Sequence, residues 1–170
     1  QRLSSWTLEA WVKPAAAPGG AGTVVRRTVQ KLTAGGYAMN FVLGVQTNGG
    51  SLVPYAGYVL TDGTAVMTAG APIPSGAWMH LSAAYNGSTK TLALYTNGAL
   101  AASRVDPVIP APPTNGKGGD TYLRIGEGFG GQIDEVRIWN LARASGLIQT
   151  NHNRTVPRTE PNLAHYFRFD

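Results

Sequence analysis

Phe129-Gly130-Gly131-Gln132-Ile133-Asp134-Glu135-Val136-Arg137-Ile138-Trp139-Asn140 is the stretch on which the reading of this chain turns. Two glycines hinge it, β-branched and aromatic residues fill its second half, and a pair of carboxylates stands in the middle. That composition predicts a strand. Its alternation is broken, because Val136 and Ile138 share one parity and Ile133 has the other. The pattern slips at Asp134-Glu135, where a β-bulge would turn one carboxylate toward the sheet rim.

Two-residue alternation recurs on both sides of this strand. Leu8, Ala10 and Val12 alternate with Thr7, Glu9, Trp11 and Lys13, and Met79, Leu81, Ala83 and Tyr85 alternate with His80, Ser82 and Ala84. Tyr37, Met39, Phe41, Leu43 and Val45 form a third such run. One apolar and one polar face per run predicts antiparallel, half-buried strands. Asn48-Gly49-Gly50, Asp62-Gly63, Asn86-Gly87 and Asn97-Gly98 separate the runs with residues that tolerate positive φ. Residues 78–103 then read as a three-strand meander. Further strands are expected near 23–31, 37–46, 56–60, 65–68, 122–125, 132–139 and 164–169. About ten to eleven short strands predict an all-β, two-sheet antiparallel sandwich of jelly-roll type. Only 142–151 reads as a helix, too short to persist without packing on the sheets.

Composition agrees and narrows the classes. The 170 residues suit one domain, residues 1–170, with no internal repeat. Charged residues make up 14%, below the roughly 25% usual for soluble domains, while Gly (22) and Pro (11) are abundant. A net charge of +5 raises nucleic-acid binding, but the basic residues are scattered and only Arg26-Arg27 adjoin, so a dispersed solvated surface is expected instead. No apolar run approaches the ~20 residues of a membrane span, and no signal-peptide pattern stands at the start, so an excised or mature segment is expected. With no cysteine there is neither a disulfide framework nor a zinc-thiolate site.

Five motifs in order carry a resemblance. They are Trp6-Thr7-Leu8-Glu9-Ala10-Trp11, Trp78-Met79-His80-Leu81, Tyr95-Thr96-Asn97-Gly98, Gly131 to Trp139, and Tyr166-Phe167-Arg168-Phe169-Asp170. The set resembles the laminin G-like and pentraxin-like branch of the concanavalin A-like jelly rolls across nearly the whole chain. The resemblance implies a mostly non-catalytic module that binds glycans or proteins at the cell surface or in secreted proteins. It also implies a first strand ahead of Trp6, which this sequence starts too late to contain. Pentraxins place a cystine pair at the positions of Glu9 and Ser82 and a run of acidic calcium ligands before the Ile133 strand. Here only Gly126-Glu127-Gly128 occupies that span, so the double-calcium site of that branch is not expected.

The functional candidates follow. Asp134, with Asp170 and with Asp120 or Glu127 nearby, is the candidate calcium site, against a reading in which Asp134 bonds amides at the bulge and Glu135 pairs with Arg137 or Arg168. Tyr55, Tyr58 and Tyr122 are the expected exposed sugar platforms. Asp62, Asn115, Asp120 and Glu127 are the expected hydrogen-bonding groups on rim loops at about 54–63 and 106–121. Trp6, Trp11, Trp78 and Trp139 are expected in the core, Trp11 with the weakest case. Adjacent carboxylates on a regular strand point to opposite faces, and the Glu-x-Asp-x-x-Glu pattern of glucanases of this broad fold is absent, which argues against a glycosidase. His80, His152 and His165 lack metal spacing, and no Gly-x-Ser-x-Gly elbow or phosphate loop is present.

The expected function is non-catalytic recognition of a carbohydrate or a cell-surface partner, with few charges suiting a neutral polar ligand. The partner classes are a glycan, a surface protein and neighbouring domains of a longer chain, with no nucleic acid and no membrane insertion. The rivals are a purely structural packing domain and, more remotely, a glycoside hydrolase.

Overall fold

The computed structural model describes residues 3–114 and 121–169. Among these are eleven strands: β1 (Trp6–Pro14), β2 (Gly22–Lys31), β3 (Tyr37–Asn48), β4 (Ser51–Val59), β5 (Ala65–Ala69), β6 (Met79–Asn86), β7 (Thr91–Thr96), β8 (Ala99–Val105), β9 (Leu123–Ile125), β10 (Gly131–Trp139) and β11 (Leu163–Phe167). One helix, α1 (Ser145–Asn151), lies between the last two. The strands form two antiparallel sheets, ordered β11-β10-β1-β6-β7-β8 and β5-β4-β3-β2-β9.

The core between the sheets collects one parity from each strand. Trp6, Leu8, Ala10 and Val12 of β1 meet Leu81, Ala83 and Tyr85 of β6 and Phe41, Leu43 and Val45 of β3. Trp6 packs its ring 6.0 Å from Phe41 and 5.9 Å from Tyr85. β1 is central in its sheet, flanked by β10 and β6, so Trp6 does not stand on an unpaired edge. The edges of that sheet are β11 and β8. β4 begins five residues earlier than its sequence suggested, because Pro54 argues against a strand. The Pro54 carbonyl accepts the Gly70 amide at 2.9 Å, so its missing N–H also faces the end of β5 and removes no bond to β3.

The half-buried pattern fails on β1. Thr7 and Glu9, on its polar face, are 0% exposed, because the chain from Asn140 to Asn162 folds across the outer face of the six-stranded sheet. Three of the four outer residues of β1 fasten that cover. Thr7 Oγ1 donates to the Leu141 carbonyl (2.8 Å) and accepts the Arg143 amide (2.8 Å). Glu9 takes Arg143 Nη1 at 2.7 Å, and Trp11 Nε1 donates to the His152 carbonyl at 3.1 Å. Ile148 of α1 is buried against Ala84, Ala93 and Tyr95, so the seven-residue helix is held by packing and not by its own turns.

The Asn97-Gly98 turn seats the helix. Asn97 and Gly98 both have positive φ (49° and 78°), and a Cβ on Gly98 would lie 2.9 Å from His152 Nδ1 and 3.0 Å from the Gln149 Cα. Only glycine lets the turn and the helix approach this closely.

Candidate functional site

Asp134-Glu135 sits on a bulge, as the broken alternation requires. Glu9 pairs with Arg137 and Trp11 with Asp134, so two steps on β1 match three on β10. Glu135 takes the strain with φ at 51°. Asp134 Oδ1 accepts the amides of Glu135 (2.7 Å) and Phe169 (3.2 Å). Glu135 receives Arg137 Nη2 at 2.6 Å, Arg168 Nε at 3.3 Å and the Tyr166 hydroxyl. The expectation that adjacent carboxylates part to opposite faces does not hold, because the left-handed Glu135 leaves both side chains lining one cleft with Trp11 and Trp78.

Behind the bulge lies a buried charge cluster. Glu9 meets Arg143 (2.7 Å), Arg137 (3.4 Å) and His80 Nε2 (3.7 Å), all shielded from water. Burial pushes the Glu9 carboxyl up, but His80 and Arg143 outweigh it and hold it below the ordinary carboxylate range. Burial also dominates His80 and holds it below the usual imidazole range despite Glu9. Arg143 stacks over Trp139 at 4.1 Å and Arg137 over Tyr166 at 5.3 Å. Every acid here already has a cation, so the cluster anchors the cover.

Asp170, Asn115 and Asp120 lie outside the described residues. Among the described residues no three His, Asp or Glu side chains gather as a metal-holding group. Asp134 brings one carboxylate already bonded to two amides, and Arg137 and Arg168 crowd its neighbour. That is far from the six to eight oxygens calcium takes.

The remaining candidates fall in three places. Tyr58 is 1% exposed, packed against Tyr85 at 5.2 Å with its hydroxyl donating to the Pro110 carbonyl (3.1 Å). It is a core residue with no face for a ligand, because it shares parity with Ala56 and Leu60 of the core. Asp62 is exposed in the β4–β5 turn, where its carboxylate accepts the Thr64 amide at 2.8 Å, and that bond lowers its pKa. Tyr55, Tyr122 and Glu127 belong to the outer face and β9 edge of the five-stranded sheet.

That outer face is built by parity. Leu123 and Ile125 pack against the core, so Arg124 between them points outward, paired in register with Arg26 of β2. Glu127 bridges the two, with Arg26 Nη2 at 2.5 Å and Arg124 Nη1 at 3.0 Å. Arg26 stacks on Tyr37 (5.4 Å) and Arg124 on Tyr122 (5.2 Å), giving a row Tyr37–Arg26–Glu127–Arg124–Tyr122. Tyr122 is 43% exposed. Farther across the same face, Tyr55 lies over Gly44, where a Cβ would come within 2.7 Å of the ring. The arginines of this row were missed in the sequence, although Arg124 stands two residues after Tyr122 and three before the glycine-flanked Glu127; nothing local marks Arg26.

The tryptophans divide. Trp6 and Trp139 are core residues as expected, Trp11 is half-buried, and Trp78 is 45% exposed. Trp78 precedes β6 by one residue and shares the parity of outward His80, beyond the reach of the cover.

Two antiparallel sheets packed face to face define a concanavalin A-like jelly-roll sandwich. The model of the concanavalin A-like lectin/glucanases superfamily, laminin G type, matches residues 1–149, and the chain belongs to that family. No curated protein matches it in sequence. Among solved structures it is similar to the heptameric SAP-like pentraxin of Limulus polyphemus, with 15% identity over 89% of this chain and 70% of that one, TM-score 0.62. It is also similar to a putative carbohydrate binding protein from Bacteroides ovatus, with 19% identity and TM-score 0.66. The match covers 98% of this chain and 45% of that one, so the present chain spans less than half of that protein. The CBM40 of Ruminococcus gnavus IT-sialidase, bound to α2,3 sialyllactose, is similar with 12% identity over 87% of this chain and 82% of that one, TM-score 0.65. No helix among the described residues is long and apolar enough to cross a membrane.

Proposed function

We propose that this domain is a non-catalytic glycan-recognition module working outside the cell, and that it takes acid-bearing sugars on the outer face of the five-stranded sheet. The observation that carries the reading is the Tyr37–Arg26–Glu127–Arg124–Tyr122 row. Two guanidiniums against one carboxylate leave an excess positive charge, and their remaining N–H groups suit a carboxylate or sulfate bidentately. Tyr122 supplies a flat ring for the apolar face of a pyranose. On this face the reading departs from the neutral ligand expected from composition, which averages over the chain and is blind to two converging arginines. A neighbour bound to sialyllactose, itself an acid-bearing sugar, is consistent with it.

The absence of catalysis belongs to the same proposal. Glu135 is held by two arginines and a tyrosine, and Asp134 by two amides, so neither is poised as a proton donor. A packing role is the second reading, favoured by β8, an edge strand whose Leu100 and Val105 are each 59% exposed.

A glycan array probed with calcium and again with chelator tests the proposal. The expected result is binding to uronate-, sialate- or sulfate-bearing glycans that survives chelation and is lost in Arg124→Ala. Calcium-dependent binding would instead restore the expectation of a metal at Asp134 and Asp170. Silence in both buffers would sink glycan recognition on this face and leave the packing role.

A further inference from the structure

The Trp11–Trp78–Asp134–Glu135 cleft is separate from that face, on the other sheet of the sandwich. We infer that it is a second carbohydrate site, specific for a neutral pyranose. The cleft is an open depression of about 290 Å³, near the lower end of small-ligand sites at roughly 300 Å³, with room for a sugar unit. Its position is set by three strand ends. Trp11 lies on β1 opposite His80 and Asp134, Trp78 just precedes β6, and the carboxylates sit on the bulge of β10.

The two rings have different roles. Trp11 is pinned by its indole N–H on the His152 carbonyl (3.1 Å) and by edge contact with His80 at 5.7 Å, so it forms a fixed wall. Trp78 is 45% exposed and contributes an open indole at the cleft. Among the described residues only Tyr122 and Phe169 are aromatics comparably exposed, and the cleft is where Trp78 meets polar groups. Indoles offer stacking to the C–H face of a pyranose, while carboxylate oxygens accept its hydroxyls.

The charge balance selects the neutral class. An unpaired carboxylate pair beside two indoles would suit an ammonium ligand through cation–π attraction. Here Glu135 is already compensated by Arg137 (2.6 Å) and Arg168 (3.3 Å), which removes the excess charge a cation needs. An anion is disfavoured by the carboxylates themselves. Hydroxyls, which need acceptors and donors but no net charge, fit what is left. Both bonds made by Asp134 to described residues fall on Oδ1.

The test follows the indole N–H resonances of the 15N-labelled domain during titration with the pyranose trisaccharides maltotriose, cellotriose and xylotriose. At least one of these neutral probes is expected to shift the Trp11 and Trp78 indoles with Kd in the range of about 1 mM or tighter, leaving Trp6 and Trp139 unmoved. Trp78→Ala should weaken that binding roughly tenfold or more, Trp78→Phe should recover much of it, and Arg124→Ala should leave it unchanged. Because Trp78 is exposed, the alanine variant is expected to fold, which the dispersion of the other indoles checks. If no probe moves the two indoles, or if binding persists undiminished in folded Trp78→Ala, the inference is overturned. Failure of the acid-sugar reading is seen separately, in Arg124→Ala on the array.

Discussion

The outer faces of the two sheets carry the same chemical pieces, arginines with glutamates and aromatic rings, and treat them in opposite ways. On the six-stranded sheet the pieces are roofed over: Glu9 and Arg137 are buried beneath residues 140–162, and Arg143 reaches in from that cover to Glu9. On the five-stranded sheet Arg26, Arg124 and Glu127 remain at the surface, with side chains 17–44% exposed. Burial turns an ion pair into a structural commitment, because removing one partner strands the other without water. Exposure makes the pair nearly neutral to folding and free to exchange partners. The comparison teaches that a residue type in this fold says little until its roof is known.

The largest expected effect lies on the covered face. Glu9→Gln leaves Arg143 and His80 without their acid, and Arg137 with Glu135 alone, and should cost about 3–5 kcal/mol in urea unfolding at neutral pH. A cost near that of a surface substitution would mean that packing of Ile148, not charge, holds the cover.

Acidification should find the same face next. Glu9 and His80 both titrate below their ordinary values in the folded protein, so the unfolded chain binds more protons. Stability should be full above the ordinary imidazole value of 6.5, fall as pH drops below it on account of His80, and fall further below 4.5 on account of Glu9. Thermal melts between neutral and acid pH check this, and a Tm indifferent to pH across both windows would break the assignment. His80→Gln should shrink the upper step to the part contributed by His165, which burial also holds below the usual imidazole range, and should lessen the lower one, because His80 helps hold Glu9 down.

The smallest stability effect belongs to the open face. Arg124→Ala should change folding by no more than about 1 kcal/mol, since its pair with Glu127 is exposed. Its effect should appear in binding. Attraction of an acid-bearing glycan should weaken as salt shortens the screening length from about 10 Å at 0.1 M to about 3 Å at 1 M. The Trp78 cleft, with its charges compensated, should be insensitive to the same change. Equal salt responses at the two sites would erase the distinction between them.

What was legible in the sequence follows the range of the interaction. Leu8, Ala10 and Val12 announced a core face by alternation alone, and the parity slip at Ile133 and Val136 announced the bulge, since both depend on neighbours along one strand. The partner of Glu9 did not show, because Arg137 stands 128 residues away and Arg143 134. Nothing local says that the polar face of β1 will be covered. Tyr58 was misplaced for a similar reason. A strand was expected at 56–60, but proline and glycine nearby set Tyr58 on a turn-rich rim, whereas β4 runs on through Pro54 and delivers Tyr58 to the core. Trp78 failed in the other direction, since a motif tryptophan was taken for framework and only the end of the cover leaves it exposed. The three candidates at 115, 120 and 170 lie outside the described residues.

The bulge on β10 also bears on what the chain can lose. Ile133 and Val136 both face inward although they are three apart, and Asp134 and Arg137 keep their pairing with Trp11 and Glu9. Delete Glu135, and Asp134 adjoins Val136 directly. Alternation becomes regular, Ala10 gains a partner, and no other side chain changes face. Elsewhere on a strand a one-residue deletion inverts everything beyond it. Glu135 is thus a detachable insertion in an otherwise regular ladder: the shortened protein should fold and keep its cover through Glu9, while the cleft beside Trp78 loses a carboxylate. Scaffold and binding group can therefore be gained or lost separately, by the length of one strand.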